Sequence, residues 1–256
     1  FGWSCDKVSA MELVTAEGEL VRGSAESEPE LLWGLRGGGG NFGVVTKFEL
    51  PLHPVGPEIV GGPVAWRAED AAEVLAFYRT LVEEAPPELT CVLILRRAPP
   101  APWLPPEIHG KPIVALMVCW SGDLEEGERW AAKIKGVGSP VGGALRRRAF
   151  ANQHTLLDAT QPKGRRYYWK SEYLRAVEPE LLAAAMEHFA RLPSPHSAII
   201  VFPIGGEVHR LPDDHSAVGN RDARFVLNIT GSWERAEDDT AGVEWARAAW
   251  RDLRRF

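Results

Sequence analysis

Three groups of residues in this sequence have the types and spacing to do chemistry. The first is main chain rather than side chain. Four consecutive glycines, Gly37, Gly38, Gly39 and Gly40, run directly into Asn41, Phe42, Gly43 and Val44. Each glycine costs about 1 kcal/mol relative to alanine inside a helix, so helix or strand propensity does not explain the run. Such a run belongs where the backbone takes positive φ or where a ligand touches main chain directly. An amide, an aromatic ring and another glycine then suit a flat, polar ligand; a mobile surface loop is the alternative. Gly38, Gly40 and Gly43 formally match G-x-G-x-x-G. The dinucleotide fingerprint, however, needs a strand before it and a helix after it. No G-x-x-x-x-G-K-[ST] occurs, so the loop is not a P-loop.

The second group is Tyr167-Tyr168-Trp169-Lys170-Ser171. Read as a strand, its period of two sends Tyr167, Trp169 and Ser171 to one face and Tyr168 and Lys170 to the other. An amine in mid-strand is either exposed or held by a partner, and a lysine snorkelling past core aromatics is the structural alternative. The third group is Gly205-Gly206-Glu207-Val208-His209-Arg210, followed by Asp213-Asp214-His215. His209 and His215 are of the residue type that most often serves as a general base near neutral pH. His209, Arg210 and Lys170 are thus the candidate catalytic groups. Adjacent carboxylates in a turn point apart and no second ligand cluster exists, so no metal site is expected. No G-x-S-x-G elbow supports a serine hydrolase.

These groups need elements to hold them. Glu28-Pro29-Glu30 starts a helix, with proline in the first turn and acids at its positive end. Val44 to Leu50 alternates and is β-branched, so the order is helix, glycine loop, strand. Ala10–Thr15 and Glu19–Arg22 flank a turn with Gly18 and read as a hairpin. Pro51 to Pro57 is a rigid connector, which divides the chain at 1–56 and 57–256; His53 within it reads as a linker residue. Beyond it, Ile59–Trp66, Thr90–Leu95, Ile113–Cys119, Tyr167–Tyr173, Ala198–Pro203 and Arg224–Thr230 predict strands. Asp70–Glu84 (with Asp70 as cap), Leu124–Ile134, Pro179–Arg191 and Val243–Leu253 predict helices. Ala98 to Pro106 is too proline-dense for either and reads as loop, with a polyproline ligand as the alternative. The whole is α+β, an antiparallel sheet backed by helices.

A chain of 256 residues, 45% hydrophobic, has room for one large or two small domains. A net charge of −6 without a basic block argues against nucleic acid. Cys5, Cys91 and Cys119 are odd in number and form no C-x-x-C, which fits a reducing compartment. No apolar run reaches the ~18 residues of a membrane span and no leader is visible, so a cytoplasmic location is expected. The chain opens on Phe1-Gly2-Trp3 and reads as a piece of something longer.

Leu32-Trp33-Gly34-Leu35-Arg36 through Val45-Thr46 resembles the helix–glycine–strand segment of FAD-dependent oxidoreductases of the vanillyl-alcohol-oxidase superfamily, nearest the berberine-bridge-enzyme-like branch. Phe1-Gly2-Trp3-Ser4-Cys5-Asp6 and Val14-Thr15-Ala16-Glu17-Gly18 are similar to further signatures of that family. The resemblance implies the C-terminal part of a PCMH-type FAD-binding domain over 1–56, then a substrate domain over 57–256. Its cofactor would be FAD, lined by Gly37 to Val44, and its substrate a small molecule met by Tyr167, Trp169 and Arg210. The reaction implied is oxidation of a C–OH or C–N centre by hydride transfer to FAD. Two departures stand out. Val218 and Asn220 replace an aromatic and a histidine of the family, and Arg210 stands where plant-type members place a glutamate base. Arginine cannot act as that base. The family's pyrophosphate loop and C-terminal tail have no counterpart, so the chain is expected to bind FAD weakly or not at all by itself. Two other readings are a flavin-free binding module and one half of a split flavoenzyme, whose partner would be the N-terminal FAD-binding half.

Overall fold

The computed structural model describes all 256 residues. In chain order the elements are β1 (Ala10–Val14), β2 (Leu20–Ser24), α1 (Pro29–Leu35), β3 (Val44–Glu49), β4 (Glu58–Arg67), α2 (Ala71–Glu84), β5 (Leu89–Arg97) and β6 (Pro112–Trp120). There follow α3 (Leu124–Lys135), β7 (Gly142–Gly143), β8 (Arg146–Ala149), α4 (Phe150–His154), β9 (Arg166–Leu174) and α5 (Pro179–Phe189). The chain ends with β10 (Ala198–Pro203), α6 (Glu207–Arg210), β11 (Phe225–Trp233) and α7 (Asp239–Leu253). They form two compact units, Phe1–Pro54 with Ile204–Arg224, and Val55–Pro203 with Phe225–Phe256. A single cut in the proline connector therefore misses the excursion between β10 and β11. No signal in the connector could reveal it, because that excursion begins 150 residues later.

The smaller unit is an antiparallel sheet in the order β2-β1-β3. Leu13 pairs with Val21 on one side and Val45 on the other. Pro29 occupies the first turn of α1, as its fixed φ and missing N–H favour. Val8, Met11 and Leu32 form the core, with Leu35 and Val45 against it. After Gly206 the chain makes the single helical turn α6.

The larger unit carries an eight-stranded sheet, β7-β4-β6-β5-β10-β11-β9, with β8 also on β4. Its pairings are antiparallel throughout. One face is covered by helices: α3 on β4, α5 on β10 and β5, α7 on β11 and β9. There Leu93, Leu95, Leu116, Ile199, Leu227 and Ile229 meet Val74, Tyr78, Leu181 and Ala246 in one core. On the other face the proline-rich segment packs down. Leu104 and Ile108 bury against Ile94, Ile113 and Ala115, with Trp103 alongside. That segment is folded cover and not a free polyproline ligand. At the β9 end exposed and part-buried residues alternate from Trp169 to Tyr173. Asp70 stands at the start of α2, but a 3₁₀ turn (Ala68–Asp70) leads in and the aspartate side chain makes no capping bond. The short β7, β8 and α4 carry no periodic signal and were not expected from the sequence.

Trp233 is buried, and its indole N–H donates to Asp239 Oδ1 at 2.7 Å. A methyl on Gly242 of α7 would lie 2.3 Å from Cζ3 of that ring. Gly→Ala in a helix ordinarily stabilises by about 1 kcal/mol. Here we expect Gly242→Ala to destabilise by roughly 1–3 kcal/mol through overpacking, read from denaturant unfolding; a gain in stability would refute the contact.

Candidate functional site

Within the smaller unit, the glycine loop leaves the C-terminal end of α1. The Arg36 guanidinium is fixed there, donating to the Val8 carbonyl from Nε at 2.9 Å and Nη2 at 2.6 Å. Gly37 and Gly38 donate back to Leu35 and Gly34 carbonyls. Gly39 and Gly40 donate to no group of the protein, and a methyl on either would meet no atom within 4 Å. Asn41 Nδ2 donates to the Gly38 carbonyl at 3.0 Å, which fixes the bend. The Phe42 ring seats on Gly34, where a methyl would come within 2.7 Å of its Cζ. Phe42 is thus a prop under the loop. Gly43 comes so close to β1 that a methyl would lie 2.3 Å from the Val14 carbonyl oxygen, and Val44 beyond it is exposed. The free surface of the loop is the main chain of Gly39 and Gly40. The loop follows the negative end of a helix, which favours a polar or uncharged group there over a phosphate.

The excursion 204–224 packs on this loop. Gly37 faces Val218, Trp33 Nε1 donates to the Asp214 carbonyl at 2.8 Å, and the Ala217 N–H donates to the Trp33 carbonyl. A buried ion pair holds the excursion in place. Arg221 donates to both carboxylate oxygens of Asp6, at 2.9 and 2.7 Å, and Ser216 donates to Asp6 Oδ1 at 2.8 Å. The charged side chains are 2% and 0% exposed. Burial alone would raise the Asp6 carboxyl; the Arg221 and Ser216 hydrogen bonds and the Arg221 charge outweigh it and hold it below the ordinary range. Asp6 entered the sequence reading only as a motif letter, because nothing local signals a partner 215 positions away. Asn220, in place of the family's histidine, has φ 57°, a left-handed turn position that asparagine tolerates.

The candidate catalytic groups fall in different surroundings. Arg210 pairs with Glu207 on the surface, and Lys7 approaches the same carboxylate at 3.5 Å. His209 Nε2 lies 2.9 Å from the Ala223 carbonyl. A carbonyl only accepts, so Nε2 carries the proton and Nδ1 keeps a lone pair. His215 Nε2 is buried without a partner.

In the larger unit, Lys170 lies on the helical face, its Nζ 4.4 Å from the Trp250 ring of α7. Tyr168 shares that face, its hydroxyl accepting from Arg247 Nε at 3.1 Å. Lys170 is therefore a packing cation, with its partner named, on the face opposite to Tyr167 and Trp169. Those two rings meet edge to face at 6.1 Å. Trp169 is 48% exposed and Tyr173 46%. The Tyr167 hydroxyl donates to the Pro162 carbonyl at 2.7 Å, which stiffens the ring.

No protein-family model matches the chain. It is 25% identical over 248 residues to an FAD-linked oxidoreductase of Dictyostelium discoideum, covering 95% of this chain and 52% of that protein. It is 29% identical over 150 residues to (R)-6-hydroxynicotine oxidase of Paenarthrobacter nicotinovorans, covering 59% of this chain and 31% of that one. In structure it is similar to berberine bridge enzyme from Eschscholzia californica, with a TM-score of 0.79 at 15% identity, over 98% of this chain and 52% of that chain. The chain spans about half the length of the full-length relatives it matches. No helix is long and apolar enough to cross a membrane.

Proposed function

Since this chain is a relative of the FAD-linked oxidoreductases and has the berberine-bridge-like fold, we propose that it forms part of a flavoenzyme that oxidises a C–OH or C–N centre of a small organic molecule. The observation that carries this reading is the loop at Gly39 and Gly40. Its N–H groups are unused and a Cβ would meet nothing there. This is the chemistry a flat heteroaromatic ring edge with carbonyl acceptors requires, so the residues fit the group. Bound there, FAD would supply the two-electron acceptor for hydride transfer.

The chain's own residues have separable roles. Gly37 to Val44 would line the cofactor, with Arg36 and Phe42 holding the loop rigid and Gly39 and Gly40 offering donors. Tyr167 and Trp169, a stiff aromatic pair on the larger unit's sheet, would be its substrate contacts. Among His209, Arg210 and Lys170, His209 alone keeps a free acceptor, at Nδ1, and is the group that can take a proton. Arg210, already paired with Glu207, is a poor substrate ligand; an incoming anion would have to displace a carboxylate. The loop supplies one wall of a cofactor site, so these 256 residues are expected to bind FAD weakly by themselves.

The test is titration of the chain with FAD, followed by flavin absorbance and fluorescence. We expect saturable binding with a dissociation constant in the micromolar range or weaker. A tight one-to-one yellow complex would overturn the view that this loop is only a partial grip. Complete indifference to FAD at millimolar concentration would overturn the cofactor assignment and favour a flavin-free module.

A further inference from the structure

Within the larger unit, the proline-rich segment and the start of β8 line one cleft. It measures about 760 Å³, inside the size range of small-molecule sites. Pro102 and Trp103 of the proline-rich cover line it, together with β7, Arg146 of β8 and Lys135 at the end of α3. A smaller cavity of about 470 Å³ shares Lys135, Leu145 and Arg146 with it. The cover and β7 are both fixed in place. Leu104, next to Trp103, is buried against the sheet, and its N–H donates to the Ala101 carbonyl at 3.0 Å. The residues flanking β7 are tied to β4, the Val141 N–H donating to the Ala65 carbonyl and the Ala144 N–H to the Pro63 carbonyl, each at 2.8 Å. Gly142 lets the cover close on β7, since a methyl there would lie 2.6 Å from the Trp103 carbonyl oxygen. The cleft is therefore set by packing before a ligand arrives, which keeps the ordering cost of binding low.

Its lining is one-sided in charge. Pro102, Trp103, Pro140 and Leu145 are apolar, and the charged residues are Lys135 and Arg146, both exposed. Neither forms an ion pair or a hydrogen bond within the chain. The neighbouring Arg147 is engaged: it donates to both carboxylate oxygens of Glu128, at 2.7 and 2.8 Å. Glu128 lines the smaller cavity, so the acid beside the cleft is already matched by an arginine of its own. Two cations on an apolar cleft, without a counter-charge, suit an anion with an apolar body. The Arg146 fork matches the two oxygens of a carboxylate and Lys135 adds a point charge. Trp103 offers a flat apolar surface to a ring.

We propose that this cleft binds an aromatic carboxylate, its ring against Trp103 and its carboxylate held by Arg146 and Lys135. β7 and β9 are opposite ends of the sheet. At one strand spacing per step they lie about 29 Å apart. The cleft is thus a second ligand site, separate from Tyr167 and Trp169, and it does not rest on the proposed function.

The experiment uses the 256-residue chain without flavin. The probes are 2-naphthoate and its uncharged isostere 2-naphthamide, compared by calorimetric titration, with inorganic sulfate as competitor. We expect naphthoate to bind roughly fivefold tighter than the amide, a modest factor because both cations are exposed. The difference should shrink between 50 and 500 mM salt. Arg146→Gln and Lys135→Gln should each reduce the preference, and the double variant should abolish it. Trp103→Ala should weaken both probes alike and keep their ratio. Trp169→Ala, at the far end of the sheet, should leave the preference unchanged. Far-ultraviolet circular dichroism checks that each variant is folded, and the two exposed cations decide if Trp103→Ala does not fold. Equal affinity for the two probes, or no binding of either at low millimolar concentration, would overturn the proposal. So would a preference that survives the double variant or is lost in Trp169→Ala, since either result places the anion elsewhere. Sulfate binding without any naphthoate preference would also overturn it, because that leaves an anion site with no aromatic ligand.

Discussion

Replacing Arg221 with alanine is expected to cost about 3–5 kcal/mol in the smaller unit, because it strands the buried Asp6 carboxylate without its cation. Asp6→Ala should cost a similar amount for the mirror reason. The larger unit has its own core and should keep its stability, so the chain should unfold in two steps where the wild type unfolds in closer succession. Hydrogen exchange gives the readout, comparing amides of β1 and β3 with those of β6. The double replacement Asp6→Leu with Arg221→Met should recover much of the loss, since removing both charges also removes both desolvation costs. A double variant as unstable as the sum of the singles would show that the pair itself, rather than the orphaned charge, carries the effect. The pH dependence follows from the sign of the shift. The Asp6 carboxyl is depressed in the folded state. Its contribution is complete above the ordinary carboxylate pKa of about 4 and is lost as pH falls below that value. Arg221 is raised and stays charged throughout.

That pair also explains where sequence reading stopped. Hydrophobic periodicity made most of the larger sheet legible: Ile113–Cys119 and Ala198–Pro203 are continuous apolar runs because β6 and β10 are covered on both sides. Proline at Pro29 and Pro179 marked two helix starts for a local reason, the fixed φ of the first turn. The glycine loop was legible because no regular element accepts four glycines. The excursion 204–224 was not, since its membership in the smaller unit depends on Asp6 meeting Arg221 and Trp33 meeting Asp214, contacts without any local pattern. Lys170 was ambiguous for a related reason. Period two fixes that it opposes Trp169, but which face the helices cover is decided by α7, some 80 residues downstream, through Trp250.

The glycine run should divide, on substitution, into residues the fold requires and residues it does not. Gly37 has φ 113°, and a methyl there would lie 2.5 Å from Val218 Cγ2 and 3.1 Å from the Val218 nitrogen. Gly43 has φ 145°, and its methyl would meet the Val14 carbonyl oxygen at 2.3 Å. Both combine a backbone conformation that alanine resists with a close approach: Gly43 collides with main chain, which cannot rotate away, and Gly37 collides with the Val218 side chain with main chain tight behind it. Gly37→Ala and Gly43→Ala are therefore expected to destabilise the smaller unit by about 2–4 kcal/mol. Gly40 has neither constraint: nothing lies within 4 Å of its Cβ position, and its φ is not left-handed. Gly40→Ala should leave stability within about 0.5 kcal/mol of wild type. If the bare main chain at Gly40 exists for a ligand, the bulkier Gly40→Val should weaken FAD at least tenfold relative to wild type under the same titration. Equal FAD affinity in Gly40→Val would remove the loop from the cofactor site. Loss of stability in Gly40→Ala would instead mean that the glycine serves the fold. Only the combination of an unchanged fold and a lost ligand assigns this main chain to recognition, because a glycine that neither packing nor φ demands has no other physical reason to resist a side chain.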